Sequence, residues 1–66
     1  MIVNGEARDV ADGTTVVALV AALGLPAGGR GVAVAVDGEV VPRAEWGTHE
    51  LGADARVEVL TAMQGG

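Results

Sequence analysis

An α+β domain, with one main helix lying across one face of a mixed sheet of about five strands, is what the sequence predicts. Two turn dipeptides, Asn4-Gly5 and Asp37-Gly38, each separate short strand-prone runs, and both residue pairs accept the positive φ that a two-residue hairpin turn demands. Between them, Val16, Leu19, Val20 and Leu23 recur at i, i+3, i+4 and i+7, which places all four on one helical face. A last strand-prone run, Arg56-Val57-Glu58-Val59-Leu60, follows the second hairpin.

The elements follow in order. Met1-Ile2-Val3 and Glu6-Ala7-Arg8-Asp9-Val10 form the arms of the first hairpin. Ala11-Asp12-Gly13 ends the second arm, and Thr14 or Thr15 offers a hydroxyl to the free amides of a helix start. The β-branched Val16, Val17 and Val20 argue for a strand instead. Ala18, Ala21 and Ala22 favour the helix, and Gly24 followed by Pro26 is an ordinary helix stop. Gly28-Gly29-Arg30-Gly31 is a mobile connection. Val32-Ala33-Val34-Ala35-Val36 and Glu39-Val40-Val41 form the second hairpin, ended by Pro42, which has no amide to give a ladder. A short helical turn at 44–46 and a turn at 51–54 lead to the last strand, 56–60. If that strand returns beside the first, the roll is a β-grasp fold over residues 1–60, and residues 61–66 are left as a flexible C-terminal tail.

Side chains alternate between the two faces of a strand. With Val3, Val32, Val34, Val36, Val57 and Val59 under the helix, Ile2, Ala33, Ala35 and Leu60 point to the uncovered face. A flat apolar patch there is the expected docking face for a partner.

Composition excludes several functions. Sixty-six residues make one domain, and a chain of this size has no interior to spare for a deep substrate cavity. The expectation is a carrier or binding module rather than an enzyme. Nine acids against four arginines give a net charge of −5, which argues against nucleic acid and anionic membrane as partners and for a protein partner with a basic docking face. No cysteine is present, so disulfides, thiolate metal sites and a cysteine nucleophile are excluded. There is no lysine either, so the chain cannot be linked to itself through side-chain isopeptide bonds. The N-terminus lacks the pattern of a signal peptide, and the longest apolar run, residues 16–23, falls well short of a membrane span of about 20 residues. A cytoplasmic location is expected.

The sequence ends in Gly65-Gly66. With no Cβ, such an end threads a narrow channel, so Met63, Gln64 and Gly65 are the residues expected to pass through a partner's active site, with Gly66 at the reactive centre. Its carboxylate is ionised at neutral pH and inert as an electrophile until activated. Attack on the α-phosphate of ATP, bound by a partner, makes an acyl-adenylate with a good leaving group. No cofactor is bound by the chain itself.

Other candidates carry less. Gly28-Gly29-Arg30-Gly31 lacks the ending of a P-loop and the spacing of a dinucleotide fingerprint. His49, the sole histidine, has no cysteine or second histidine with which to share a metal and is read as an exposed loop residue. Glu45 and Glu50 are read as solvated surface rather than as an acid and base pair. Trp46, the only aromatic residue, either caps the core or acts as an interface anchor. Arg43 offers a planar fork to a carboxylate or phosphate, or is a plain surface charge.

Asn4-Gly5, Thr15-Val16, Val34-Ala35-Val36, the segment Val40-Val41-Pro42-Arg43-Ala44-Glu45-Trp46 and the terminal Gly65-Gly66 together resemble the ThiS family, the ubiquitin-like sulfur carriers of thiamine biosynthesis. The resemblance covers essentially the whole chain, and the Val40 to Trp46 segment is its most specific part. It implies that an adenylating enzyme of the ubiquitin-activating type adenylates Gly66. Sulfur from a cysteine desulfurase or another persulfide donor then gives a thiocarboxylate, which delivers sulfur to thiazole synthase. Three other readings share these residues: the small subunit of molybdopterin synthase, a ubiquitin-like protein modifier joined through Gly66, and a simple interaction domain.

Overall fold

A computed structural model describes residues 1–26 and 30–62. The elements are β1 (Ile2–Val3), β2 (Glu6–Ala7), α1 (Val16–Ala22), β3 (Val32–Val36), β4 (Glu39–Val40), a 3₁₀ turn (Arg43–Glu45) and β5 (Arg56–Thr61). They form one five-stranded sheet in the order β2-β1-β5-β3-β4. β1 and β5 are parallel, while the remaining pairs are antiparallel. The expected α+β roll is present, with the last strand at its centre.

Both hairpins turn where the dipeptides stand, with φ of 51° at Asn4 and 52° at Asp37. The first hairpin is shorter than its sequence suggests, because β2 stops at Ala7 rather than running to Val10. A strand can pair only as far as its neighbour extends, and Ala7 already stands opposite Ile2, the first residue of β1. The last bond of that ladder is the Arg8 amide donating to the Met1 carbonyl at 2.9 Å. At the other edge β4 has two residues, although the Val41 amide still donates to the Val34 carbonyl at 2.8 Å. Pro42 then removes the next donor.

The helix is bounded by chemistry at both ends. At its start the Thr15 hydroxyl accepts from the Ala18 amide. The amides of Val16 and Val17 donate to the carbonyls of His49 and Trp46, each at 3.0 Å. Three amides that a helix leaves free are thereby used. At its end Gly24, with φ of 77°, donates to the Ala21 carbonyl, and Leu25 donates to the Val20 carbonyl. These are the paired bonds of a Schellman stop, and Pro26 follows.

Val16, Leu19 and Val20 of α1 are buried against Val3, Val34, Val36, Val57 and Val59 of the sheet. Burying each such side chain fully is worth about 1.5–3 kcal/mol, and Val57 on the central strand has no exposed surface. The sheet alternation is as the sequence predicts. Val41, Trp46, Leu51 and Ala55 extend this core past the helix N-terminus. Trp46 is 3 % exposed and its indole N–H donates to the Val41 carbonyl at 2.9 Å, so it is a core residue with a satisfied polar handle rather than an interface anchor.

Two connections between distant segments hold β5 in place. Asn4 accepts from the Val59 amide through Oδ1 at 2.8 Å and donates through Nδ2 to the Val59 carbonyl at 3.2 Å. Asp37 accepts from the Arg56 amide through Oδ1 at 3.0 Å. Each turn dipeptide therefore reverses its own hairpin and also grips the central strand.

Among the described residues no helix is long and apolar enough to cross a membrane.

Candidate functional site

The site grows from the end of β5. Thr61, expected at the start of the tail, is the last residue of this strand and lies opposite Val32. The Ala62 amide then donates to the Gly31 carbonyl at 2.6 Å. Gly31 has φ of 71°, a conformation open to glycine at no steric cost. Gly31, the last residue of the expected mobile connection, is thus a fixed anchor for the strand that leads to the tail. Ala27, Gly28 and Gly29 lie outside the described residues, as do Met63, Gln64, Gly65 and Gly66. The expected threading and sulfur-carrying residues therefore have no described geometry.

Next to that anchor is a groove of about 690 Å³ lined by Gly31, Val32, Ala33, Arg43, Leu60 and Thr61, with Ala62 at its edge. Any chain leaving Ala62 starts from this groove. Leu60 is 69 % exposed, and Ala33, its direct neighbour across the β3–β5 ladder, is also exposed.

Of the four residues expected to form the docking face, all are on the uncovered side of the sheet, but they do not make one patch. Ile2 stands opposite Arg56, and Ala35 stands opposite Glu58. Both charged residues project from central β5, so they separate Ile2 from the Ala33, Ala35 and Leu60 group. Alternation along a strand settles which face a side chain takes. Which neighbour lies beside it depends on strand order, and that is set by pairing between residues far apart in sequence.

Sequence reading missed Val40, which is 74 % exposed and lies opposite Ala35 on the same face. The signal was available. A two-residue turn at Asp37-Gly38 fixes Val40 across from Ala35. Arg43 reaches the groove because the 3₁₀ turn brings the chain back beside the start of β3.

The other candidates resolve as follows. His49 is half-buried rather than exposed, and its main chain is occupied by the Glu45 carbonyl and the Val16 amide. It borders a smaller depression with Asp37, Glu39, Val40, Val41 and Glu45. Glu45 and Glu50 are both exposed. Among the described residues no cluster of three histidine or acidic side chains is placed to hold a metal ion.

Comparison with known proteins adds three findings. No curated protein matches the chain. Among solved structures, the crystal structure of a thiamine biosynthesis protein (ThiS) from Geobacter metallireducens is similar, with a TM-score of 0.77 and 33 % sequence identity. The match covers 98 % of this chain and 96 % of that one, and the roll described above is therefore the ThiS β-grasp fold. The model of the ThiS family matches residues 1–66, every position from Met1 to Gly66. With sequence pattern, sheet order and both comparisons in agreement, the chain belongs to the ThiS family.

Proposed function

We propose that this chain is the sulfur carrier of thiamine biosynthesis and that its working atom is on Gly66, while every catalytic group is supplied by partners in the cytoplasm. The single observation that carries the reading is the family match through the terminal Gly65-Gly66. In this reading an adenylating enzyme of the ubiquitin-activating type binds ATP. A carboxylate oxygen of Gly66 attacks the α-phosphate, and pyrophosphate leaves. The resulting acyl-adenylate has a good leaving group. A persulfide sulfur from a cysteine desulfurase or another donor attacks the acyl carbon and expels AMP. A thiol of a partner or of a small-molecule reductant then attacks the donor-side sulfur of the remaining S–S bond, forming a disulfide with the donor and releasing a thiocarboxylate on Gly66, which thiazole synthase consumes.

The chain's own contribution is presentation. Gly65 and Gly66 add no side chain to obstruct a narrow channel, and Met63 and Gln64 supply reach. The Asn4 clamp and the Ala62 to Gly31 bond give the tail a fixed origin. Ala33, Ala35 and Leu60, with Ile2 across the charged pair on β5, form the face that docks on the adenylating enzyme. A thiocarboxylate suits the last step because its sulfur is soft and ionised at neutral pH, as thiolates outperform thiols.

The test is the intact mass of the protein after incubation with ATP, the adenylating enzyme and a persulfide source, beside a control lacking Gly66. A gain equal to exchanging one oxygen for sulfur, absent from the control, is expected. No gain with a partner active on another carrier would refute the reading, and ladders of conjugated proteins would point to a modifier.

A further inference from the structure

The net charge of −5 implies a basic docking surface on the partner, yet the uncovered face of the sheet does not share the charge of the whole. Its strand positions carry one acid, Glu58, and one arginine, Arg56. Glu6 and Glu39 stand opposite Val3 and Val36, so their positions belong to the other face. The groove at the foot of this face adds a second guanidinium, that of Arg43. Two cations against one carboxylate thus mark an apolar surface in an otherwise acidic molecule. Among the described residues nothing pairs with the Arg43 side chain, which is exposed and carries five donors.

We propose that this face receives an apolar surface of the adenylating partner that presents a carboxylate to Arg43. The contact is then positive on the carrier and negative on the partner, the reverse of what net charge implies. This rests on the sulfur-carrier reading and goes beyond it by fixing the partner's chemistry at the groove. The arrangement also selects orientation. Away from this face the chain carries eight acids against two arginines, so a partner carboxylate is favoured here and opposed over most of the remaining surface, and like-charge juxtaposition is an effective way to suppress wrong encounters. Arg43 shares the groove with Leu60 and with Ala62, so the docked orientation is the one that points the tail's origin into the partner.

The experiment measures kcat and KM of adenylation for the wild-type carrier and for Arg43→Glu, Arg43→Lys and Glu58→Lys, with Trp46 fluorescence confirming that each variant is folded. Arg43→Glu is expected to raise KM about tenfold with kcat retained, since charges at the rim of an interface act chiefly on association. Arg43→Lys keeps the charge and is expected to recover most of that loss, while Glu58→Lys lowers KM. Added salt should narrow all these differences. An unchanged or lower KM for Arg43→Glu would overturn the inference, and so would equal losses for Arg43→Lys and Arg43→Glu. If the wild-type carrier is not adenylated by an enzyme active on another carrier, the sulfur-carrier reading fails and this inference with it.

Discussion

Replacing Asn4 tests the idea that a turn residue holds the functional end of the molecule. Its side chain makes two hydrogen bonds to Val59, 55 positions away in sequence, at 2.8 and 3.2 Å. Each such bond contributes about 0.5–1.5 kcal/mol net, so Asn4→Gly, which tolerates the φ of 51°, should cost about 2 kcal/mol. Asn4→Ala loses the same bonds and must also adopt a left-handed backbone, which adds about 1–2 kcal/mol. A domain of this length has a total stability of about 3–10 kcal/mol, so either loss is a large fraction of the whole. In a 60–100-residue domain each kcal/mol moves the melting temperature by about 4–8 °C. Urea unfolding followed by Trp46 fluorescence is the assay, since the only aromatic ring is buried and reports on the core alone. An Asn4→Gly midpoint equal to that of the wild type would show that the clamp contributes nothing. An Asn4→Ala protein as stable as Asn4→Gly would refute the strain argument.

Other perturbations separate packing from docking. Val57→Ala removes two methyl groups from a fully buried site on the central strand and should cost about 2–4 kcal/mol in the same assay. Trp46→Phe leaves the Val41 carbonyl without its buried donor, an expected loss of about 1–3 kcal/mol, measured by thermal unfolding followed by far-UV circular dichroism. Leu60→Glu should leave stability within about 0.5 kcal/mol, because the side chain is 69 % exposed. Its effect should show instead as weaker adenylation by the partner, read by pyrophosphate release. Unchanged adenylation would remove Leu60 from the docking face.

Much of the fold was legible because short-range rules apply to it. Asn4-Gly5 and Asp37-Gly38 mark turns by backbone sterics, the 16–23 periodicity marks a helix face, and valine alternation marks the buried side of each strand. What escaped was lateral. No local rule says that Arg56 lies beside Ile2 or that Glu58 lies beside Ala35, so the docking face was drawn as one patch when a charged pair divides it. The same holds for Asn4, legible as a turn former but not as a partner of Val59, and for His49, whose carbonyl caps a helix 33 positions earlier in the chain. Gly66 lies outside the described residues, and its reading as the working end is a proposal drawn from its position, its chemistry and family membership.

The placement of β5 between β1 and β3 has a consequence for how the molecule is made. Each hairpin pairs its own strands, Val3 with Glu6 and Val36 with Glu39, but the two halves of the sheet are joined only through β5, so neither half meets the other until Val57 and Val59 have been made. Chains dominated by such distant pairings fold late and slowly, because loop closure precedes any reward from contact. A chain broken off before Arg56 therefore lacks the central strand that joins its two hairpins. The strand that completes the sheet is thus the same one that leads towards the C-terminus, so the end of β5 at Thr61 is fixed only when the whole sheet is.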